Sequence, residues 1–293
     1  MERVGIVLCG GRSQRMGRPK ALLPWFGRSL VEHAVATLAP AVEAVVVVTS
    51  PTLDVAPRVE PLGARVVVDR EPDRGPLAAI RDGLAAAGAE AAFVTSTDAP
   101  FLTRDHVETL FTRAFAGRAH GEAVRAVAPI AEGFVQVLSA VYPGTAWRDA
   151  DALLAEGIAL PVVLLERLGF EALREAGREP LAPWTGFNTP EAYLAFARRR
   201  DAAAAARVEW RGEHGATDVC SVPIGRLVDV LQAAAGTDRA RVDALAAAPL
   251  RVLLSDEWLG PDFDAELPVG PGDRVVVEPR GGGSGHPDRA ARA

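Results

Sequence analysis

An α/β architecture with a mostly parallel sheet, joined to a smaller α+β unit, is what three features of the chain predict. Short valine-rich runs alternate with helical stretches over the first hundred residues, as strands buried on both faces do when helices cover them. After residue 200 an alanine run gives way to a shorter strand, strand, helix, strand, strand pattern. At 293 residues, 49% hydrophobic and 24% charged, the chain can form one large or two ordinary domains and is neither fibrous nor disordered in composition.

In chain order, Val4 to Leu8 is an apolar run ending at Gly10-Gly11, which predicts a buried strand feeding a glycine-rich loop that lasts to about Pro24. Ser29-Leu30-Val31-Glu32 is a capping-box sequence opening a helix to about Leu38, and Ala44 to Thr49 is a second strand. Arg65 to Asp69 reads as a third strand, Leu77 to Ala87 as an alanine-rich helix, and Ala91 to Ser96 as a fourth strand stopping at Thr97-Asp98-Ala99-Pro100. Thr103 caps a helix to about Phe115. Val124 to Ile130 and Phe134 to Tyr142 read as strands around the turn Ala131-Glu132-Gly133, a pair that breaks the alternation. Helices are predicted near 146 to 156 and 161 to 175, and Asn188-Thr189-Pro190-Glu191 starts a last helix running into Arg198-Arg199-Arg200. The expected organisation is thus a first domain over 1 to 200, an alanine-rich linker over 201 to 207, a second domain over 208 to 280 and a disordered glycine-rich tail over 281 to 293.

The formal charge of −6 is unevenly spread, since residues 208 to 293 hold 14 acidic against 9 basic side chains. Neither part has the basic excess of a general nucleic-acid binder. No run approaches the roughly 20 apolar residues of a membrane span, and the N-terminal apolar stretch is too short for a signal-peptide core. Cys9 and Cys220 belong to no metal-ligand or disulfide spacing. A cytoplasmic protein is expected, without membrane or nucleic-acid partner. The five histidines, His33, His106, His120, His214 and His286, lack ligand spacing and are assigned solvent or core roles. Of the 32 basic residues 31 are arginine; Lys20 is the one lysine and Asn188 the one asparagine. In an arginine-rich chain, a retained lysine points to chemistry that needs a compact ammonium rather than a wide guanidinium fork.

The stretch Leu8-Cys9-Gly10-Gly11-Arg12-Ser13-Gln14-Arg15-Met16-Gly17-Arg18-Pro19-Lys20 falls where an α/β sheet presents its carboxyl edge. Glycines there let backbone N–H groups approach phosphate oxygens, and Arg15 and Lys20 can offset phosphate charge. Neither a Walker A motif nor GxGxxG is present, which argues against ATPase, kinase and dinucleotide-dehydrogenase functions. A carboxylate after the fourth strand, Asp98, stands where a hard cation bridging phosphates would need an oxygen ligand. Asp69 serves either as a nucleotide contact or as a turn residue, and Asn188 either as a site residue or only as the position before the Thr189 cap.

The long signature Leu-x-Gly-Gly-x-Ser-x-Arg-Met-Gly-x-x-Lys resembles that of the MobA-like nucleotidyltransferases. The resemblance continues through Leu22-Leu23-Pro24, Gly75-Pro76-Leu77-Ala78-Ala79-Ile80, Thr97-Asp98-Ala99-Pro100-Phe101-Leu102 and Asn188-Thr189-Pro190-Glu191, covering residues 1 to about 200 in order. It implies a Rossmann-like nucleotidyltransferase domain that transfers GMP from GTP to the phosphate of a molybdopterin-type cofactor with Mg²⁺. By the same resemblance Leu8, Cys9, Gly10, Gly11 and Asp69 contact the nucleotide, Lys20 its phosphates, Asp98 the nucleotide and Mg²⁺, and Asn188 joins the site. Arg15, Lys20 and Asp98 are the expected catalytic residues. Cytidylyl relatives typically carry alanine in place of Gly10, so Gly10 favours GTP; guanylyl members often place an asparagine after the second strand, where this chain has Thr49-Ser50, and this keeps a CTP-dependent molybdopterin cytidylyltransferase, or another small-molecule nucleotidyltransferase, as the alternative. Related members also often carry an asparagine where this chain has Gly186.

The C-terminal unit resembles the β-grasp (ubiquitin-like) proteins of the MoaD and ThiS type, through its strand order and Leu267-Pro268-Val269-Gly270-Pro271-Gly272-Asp273-Arg274 before the last strand. Sulfur carriers of that type end in a free Gly-Gly, whereas ten residues follow Gly281 to Gly283 here. A docking module for proteins of molybdenum cofactor biosynthesis or for molybdoenzymes is therefore weighed beside carrier chemistry. The non-enzymatic alternative for the whole chain is a protein that only carries the cofactor.

Overall fold

Val4 to Leu8 are all buried, and so apolar a strand fits only inside a sheet covered on both faces. The computed structural model describes all residues except 11–13, 118–120, 175–181, 212–216, 248–249, 260–262 and 280–293. They fall into two compact units, Met1–Leu23 with Arg28–Thr189, and Pro24–Gly27 with the chain from Pro190 onward.

The elements up to residue 174 are β1 (Arg3–Leu8), β2 (Pro24–Trp25), β3 (Arg28–Ser29), α1 (Leu30–Leu38), β4 (Ala44–Thr49), α2 (Ala56–Val59), β5 (Arg65–Val68), α3 (Pro76–Ala87), β6 (Ala91–Ser96), α4 (Arg104–Ala114), β7 (Val127–Ala131), β8 (Phe134–Val135), β9 (Ser139–Pro143), α5 (Trp147–Ala155), α6 (Pro161–Leu168) and β10 (Glu171–Arg174). The first unit is built on one eight-stranded sheet of order β10-β7-β9-β6-β1-β4-β5, with β8 on β7. Strands β6, β1, β4 and β5 run parallel, and the predicted break in alternation is β9, antiparallel to β6 and β7. One face is covered by the apolar sides of α3, α5 and α6, the other by those of α1 and α4. Each fully buried valine or leucine in these layers contributes roughly 1.5–3 kcal/mol.

The capping box is as the sequence dictates: the Ser29 backbone N–H donates to Glu32 at 2.7 Å, and the Glu32 N–H donates to Ser29 Oγ at 3.4 Å. Gly83 brings α3 close to the sheet, because a Cβ there would lie 2.7 Å from Ile6 Cγ2 and 3.1 Å from Val48 Cγ2. Both neighbours are buried β-branched side chains with little room to turn. Gly83→Ala is expected to destabilise by about 1–3 kcal/mol of overpacking, partly offset by about 1 kcal/mol of helix propensity; a denaturant midpoint equal to or above the parent's would refute this contact.

Three expectations about the bounds of single elements differ from the structure. The helix predicted over 161–175 stops at Leu168, where Gly169 adopts φ +66° and ends it; residues 171–174 then form β10, parallel to β7. Phe134 to Tyr142 is not one strand, since a turn closed by Ser139 N–H to Gln136 O separates β8 from β9. The segment expected as linker contains the start of a strand, because Ala204 and Ala206 are buried and pairing begins at Ala205.

The second unit comprises, beside β2, α7 (Pro190–Arg200), β11 (Ala205–Arg211), β12 (Thr217–Pro223), β13 (Gly225–Arg226), α8 (Leu227–Ala235), α9 (Arg239–Ala247), β14 (Leu250–Leu254), β15 (Glu257–Trp258), β16 (Pro268–Val269) and β17 (Arg274–Pro279). Its main sheet has the order β12-β11-β17-β14-β15, with β11 and β17 parallel at the centre and the flanking pairs antiparallel. Leu227, Val230 and Leu231 of α8 pack on Val208, Val252, Val275 and Val277. The helix read as the last of the first domain, α7, belongs with this unit: Tyr193 is fully buried, donates its hydroxyl to Pro24 O, and sits so tightly on Gly270 that no Cβ fits there. On the sheet, Glu209 is gripped by Arg274 through two bonds of 2.7 and 2.9 Å, which hold its carboxyl down at about 2.

Among the histidines, His33 meets Pro100 O at 2.9 Å, and His106 meets Ser139 Oγ at 3.0 Å beside Phe93 and Trp184. His120, His214 and His286 lie outside the described residues. Burial holds His106 down at about 4. The unfolded chain, with an ordinary imidazole, therefore binds a proton between about pH 6.5 and 4 that the folded chain refuses, so stability falls as pH drops through that window. Melting scans at pH 7 and 5 are expected to show a smaller drop for His106→Gln than for the parent.

Candidate active site

Strand β1 has its chain successors β4 and β5 on one side and β6 on the other, which makes its carboxyl end the switch point where open α/β sheets bind ligands. A cleft of about 850 Å³ opens there. Its lining comes from Leu8, Cys9 and Gly10 at the end of β1, Arg15 to Ala21 of the following loop, Ser50, Thr52 and Leu53 after β4, and Asp69 and Pro72 after β5. Gly75, Pro76 and Ala79 of the α3 entry, Ser96, Thr97 and Asp98 after β6, Leu138 and Asn188 complete it.

Lys20 is the centre of the polar constellation. Its Nζ donates to Asp98 Oδ2 at 2.9 Å, to Phe187 O at 2.7 Å and to Asn188 Oδ1 at 2.7 Å, three acceptors for the three N–H bonds of an ammonium. Lys20 and Asp98 keep 17% and 23% of their side-chain exposure, enough to meet a ligand without the full screening of a surface pair. The other Asp98 oxygen accepts the Ser96 hydroxyl at 2.5 Å. Sequence reasoning did not single out Ser96 or the Phe187 carbonyl; neither has a motif-level signal, since one is a strand-end serine and the other a backbone atom delivered by a loop.

Asn188 lines the cleft, where its side-chain oxygen accepts from Lys20. Gly186, two residues earlier, lies against Asp98, with an added Cβ meeting Asp98 O at 3.3 Å and Oδ1 at 3.4 Å. Leu8 and Cys9 are buried, and Cys9 is fixed by its N–H to Val48 O at 2.8 Å. Burial pushes the Cys9 thiol far up, so it offers backbone and bulk rather than a thiolate. Gly10 is exposed, and a Cβ there would meet nothing within 4 Å. Arg15 is exposed and lines the cleft. Gly11 lies outside the described residues.

Asp69 is buried and faces the cleft at the end of β5, with Oδ1 accepting Glu71 N–H at 2.8 Å. Its carboxyl is raised, first by burial and then by the neighbouring Asp82 charge, against the lowering effect of that N–H and of Arg81. Gly75 enters α3 with φ +84°, a conformation that favours glycine, and is followed by Pro76 at the first helical position. Among the described residues no helix is long and apolar enough to cross a membrane.

Residues 5–221 match the MobA-like NTP transferase domain. The chain is 45% identical over 127 residues to the molybdenum cofactor guanylyltransferase of Rhodobacter capsulatus, an alignment spanning 42% of this chain and 63% of that relative. It is 32% identical over 194 residues to a probable molybdenum cofactor guanylyltransferase of Bacillus cereus, spanning 65% of this chain and 93% of the relative. The fold resembles the crystal structure of molybdopterin-guanine dinucleotide biosynthesis protein A from Archaeoglobus fulgidus, with TM-score 0.50 and 24% identity over 64% of this chain and 93% of that one.

Proposed function

The chain belongs to the MobA-like NTP transferase domain family, and from that membership we propose that it is a nucleotidyltransferase of molybdenum cofactor biosynthesis, moving GMP from GTP to the phosphate of molybdopterin cofactor and releasing pyrophosphate. The observation that carries the reading is the ammonium of Lys20, held by Asp98, Asn188 and the Phe187 carbonyl in a cleft at the carboxyl edge of the sheet.

A terminal phosphate oxygen of the acceptor attacks the α-phosphorus, the bond from that phosphorus to the bridging oxygen breaks, and pyrophosphate leaves with the electron pair. The attacking phosphate is already ionised near neutral pH, so no general base is required. What the protein supplies is position and charge. Lys20 offsets phosphate charge, Arg15 supplies a second cation from the same loop, and Asp69 with the backbone of Leu8 to Gly10 holds the nucleoside.

Mg²⁺ fits this donor set. Among the described residues no three carboxylates, cysteines or histidines converge, which suits a cation that keeps its waters and takes one protein carboxylate plus substrate phosphates. Asp98 would hold it, each of its oxygens retaining a lone pair beyond the bonds from Lys20 and Ser96. Bound there, Mg²⁺ would offset the charge that develops on the phosphates.

GTP is favoured by Gly10, whose missing side chain leaves space open to the cleft. Gly10→Ala is expected to fold as the parent does and to reduce the ratio of GTP to CTP turnover by about tenfold or more; an unchanged ratio would remove Gly10 from base selection. Ser50 in the cleft, where guanylyl members often carry asparagine, keeps CTP as the second reading. Pyrophosphate release measured with each of the four nucleoside triphosphates, with and without molybdopterin, tests both. Release with GTP and acceptor supports the proposal, release with CTP transfers it to a cytidylyltransferase, and none with any nucleotide leaves the cofactor-carrying protein.

For the second unit we propose a β-grasp module that docks protein partners of the same pathway. The reading is supported by the parallel central pair β11 and β17, flanked by antiparallel neighbours and packed on α8. Gly281 to Gly283, on which carrier chemistry would depend, lie outside the described residues.

A further inference from the structure

The buried face of α3 is built from Leu77, Ala78, Ile80 and Leu84, yet it also buries a charged pair, Arg81 at 5% exposure and Asp82 at 4%. Apolar residues of similar volume usually stabilise a helix as well as a buried ion pair does. The pair is not optimised for its own bonding either, since Arg81 Nη2 is buried without a hydrogen-bond partner among the described residues.

Beyond the bond of 2.9 Å within the pair and one of 3.2 Å from Arg81 to Asp151 on α5, its contacts point to the loop that carries Asp69. Asp82 takes the backbone N–H of Arg70 at 2.9 Å, and the Arg70 guanidinium at 2.6 and 2.9 Å. Arg81 Nη1 donates to Glu71 Oε2 at 2.8 Å, and Arg74 donates to the other Glu71 oxygen at 2.7 Å. Glu71 in turn donates its backbone N–H to the Asp69 carboxylate. The two residues after Asp69 are thus each tied to α3, whose first turn lines the same cleft.

We propose that Arg81 and Asp82 are positioning residues, which hold the loop after β5 so that the Asp69 carboxylate faces the nucleotide in one orientation. The inference rests on Asp69 contacting the nucleotide, as the proposed function has it. Neither residue touches the cleft, and their effect is exerted through Glu71 and Arg70.

Steady-state kinetics with GTP and acceptor, on the full chain, test this. Glu71→Ala cuts the clamp from its partly exposed arm, where the core is not opened, and Arg81→Gln cuts it from the buried side. Both are expected to raise KM for GTP by about fivefold to tenfold while kcat stays within about twofold. In an Asp69→Ala background the same substitutions are expected to change KM no further, since residues acting through one group are not additive. A purely structural role would instead lower the melting temperature and leave the KM of the folded enzyme unmoved. That result for Glu71→Ala, or an undiminished KM rise in the Asp69→Ala background, would overturn the positioning role. GTP titration of the parent chain separates the two failures: a parent that binds no GTP removes the nucleotide reading and this inference with it, whereas a parent that binds GTP while the variants bind it equally well overturns the clamp alone.

Discussion

Lys20→Ala is expected to lower nucleotidyl transfer by about 10²- to 10³-fold, the usual cost of deleting one charge-stabilising donor from a transfer site. The geometry adds a sharper expectation, that Lys20→Arg will not restore the rate. Three acceptors converge on one nitrogen at 2.7 to 2.9 Å, and a planar guanidinium spreads its donors over a fork too wide to meet all three. In Lys20→Ala the Asp98 carboxylate keeps Ser96 but loses its cation, so weaker nucleotide binding is expected alongside slower turnover. Single-turnover pyrophosphate release on both variants checks this. Near-parental turnover in Lys20→Arg would sink the assignment and make the lone lysine an accident of composition.

That lysine shows how much of the site is legible in the sequence. The chain's one lysine and one asparagine, 168 positions apart, donate and accept the same hydrogen bond, and compositional rarity by itself points to the lysine. Asp98 is legible from its place after a strand, because the carboxyl edge of a parallel sheet is where such folds use polar side chains. The Phe187 carbonyl is not, since a backbone acceptor brought by a distant loop leaves no residue-type signal. The Arg81–Asp82 pair is hidden for another reason: on sequence, an Arg-Asp step in an alanine-rich helix reads as solvated surface, and only packing shows that it is buried.

The fold is legible to the same degree. Valine-rich strands between capped helices determine the parallel half, down to the Ser29–Glu32 box. The edge is lost where local signals compete. A glycine in the left-handed region ends α6 and releases 171–174 to pair with β7, and an alanine run that reads as linker is apolar enough to enter a strand. Helix α7 is marked by its cap, but what a helix packs against is decided by its buried face, and Tyr193 directs that face to Gly270 and Pro24.

Asp98→Asn is expected to keep the fold while reducing turnover by about 10²-fold and raising the Mg²⁺ concentration for half-maximal rate by about tenfold or more. The fold should persist because an amide can still satisfy both neighbours: its oxygen accepts from Lys20, and its NH₂ donates to Ser96 Oγ, which reverses its role. This orientation leaves Lys20 partnered but removes the negative charge, and a neutral amide is a weak ligand for a hard cation. Loss of metal response and of turnover should therefore appear together, with the melting temperature near the parent's. A variant with the parent's Mg²⁺ titration but slowed turnover would remove Asp98 from the metal site and leave it as the counter-charge that orients Lys20. In that case Asp69, the other carboxylate in the cleft, would be the residue to test next by the same titration.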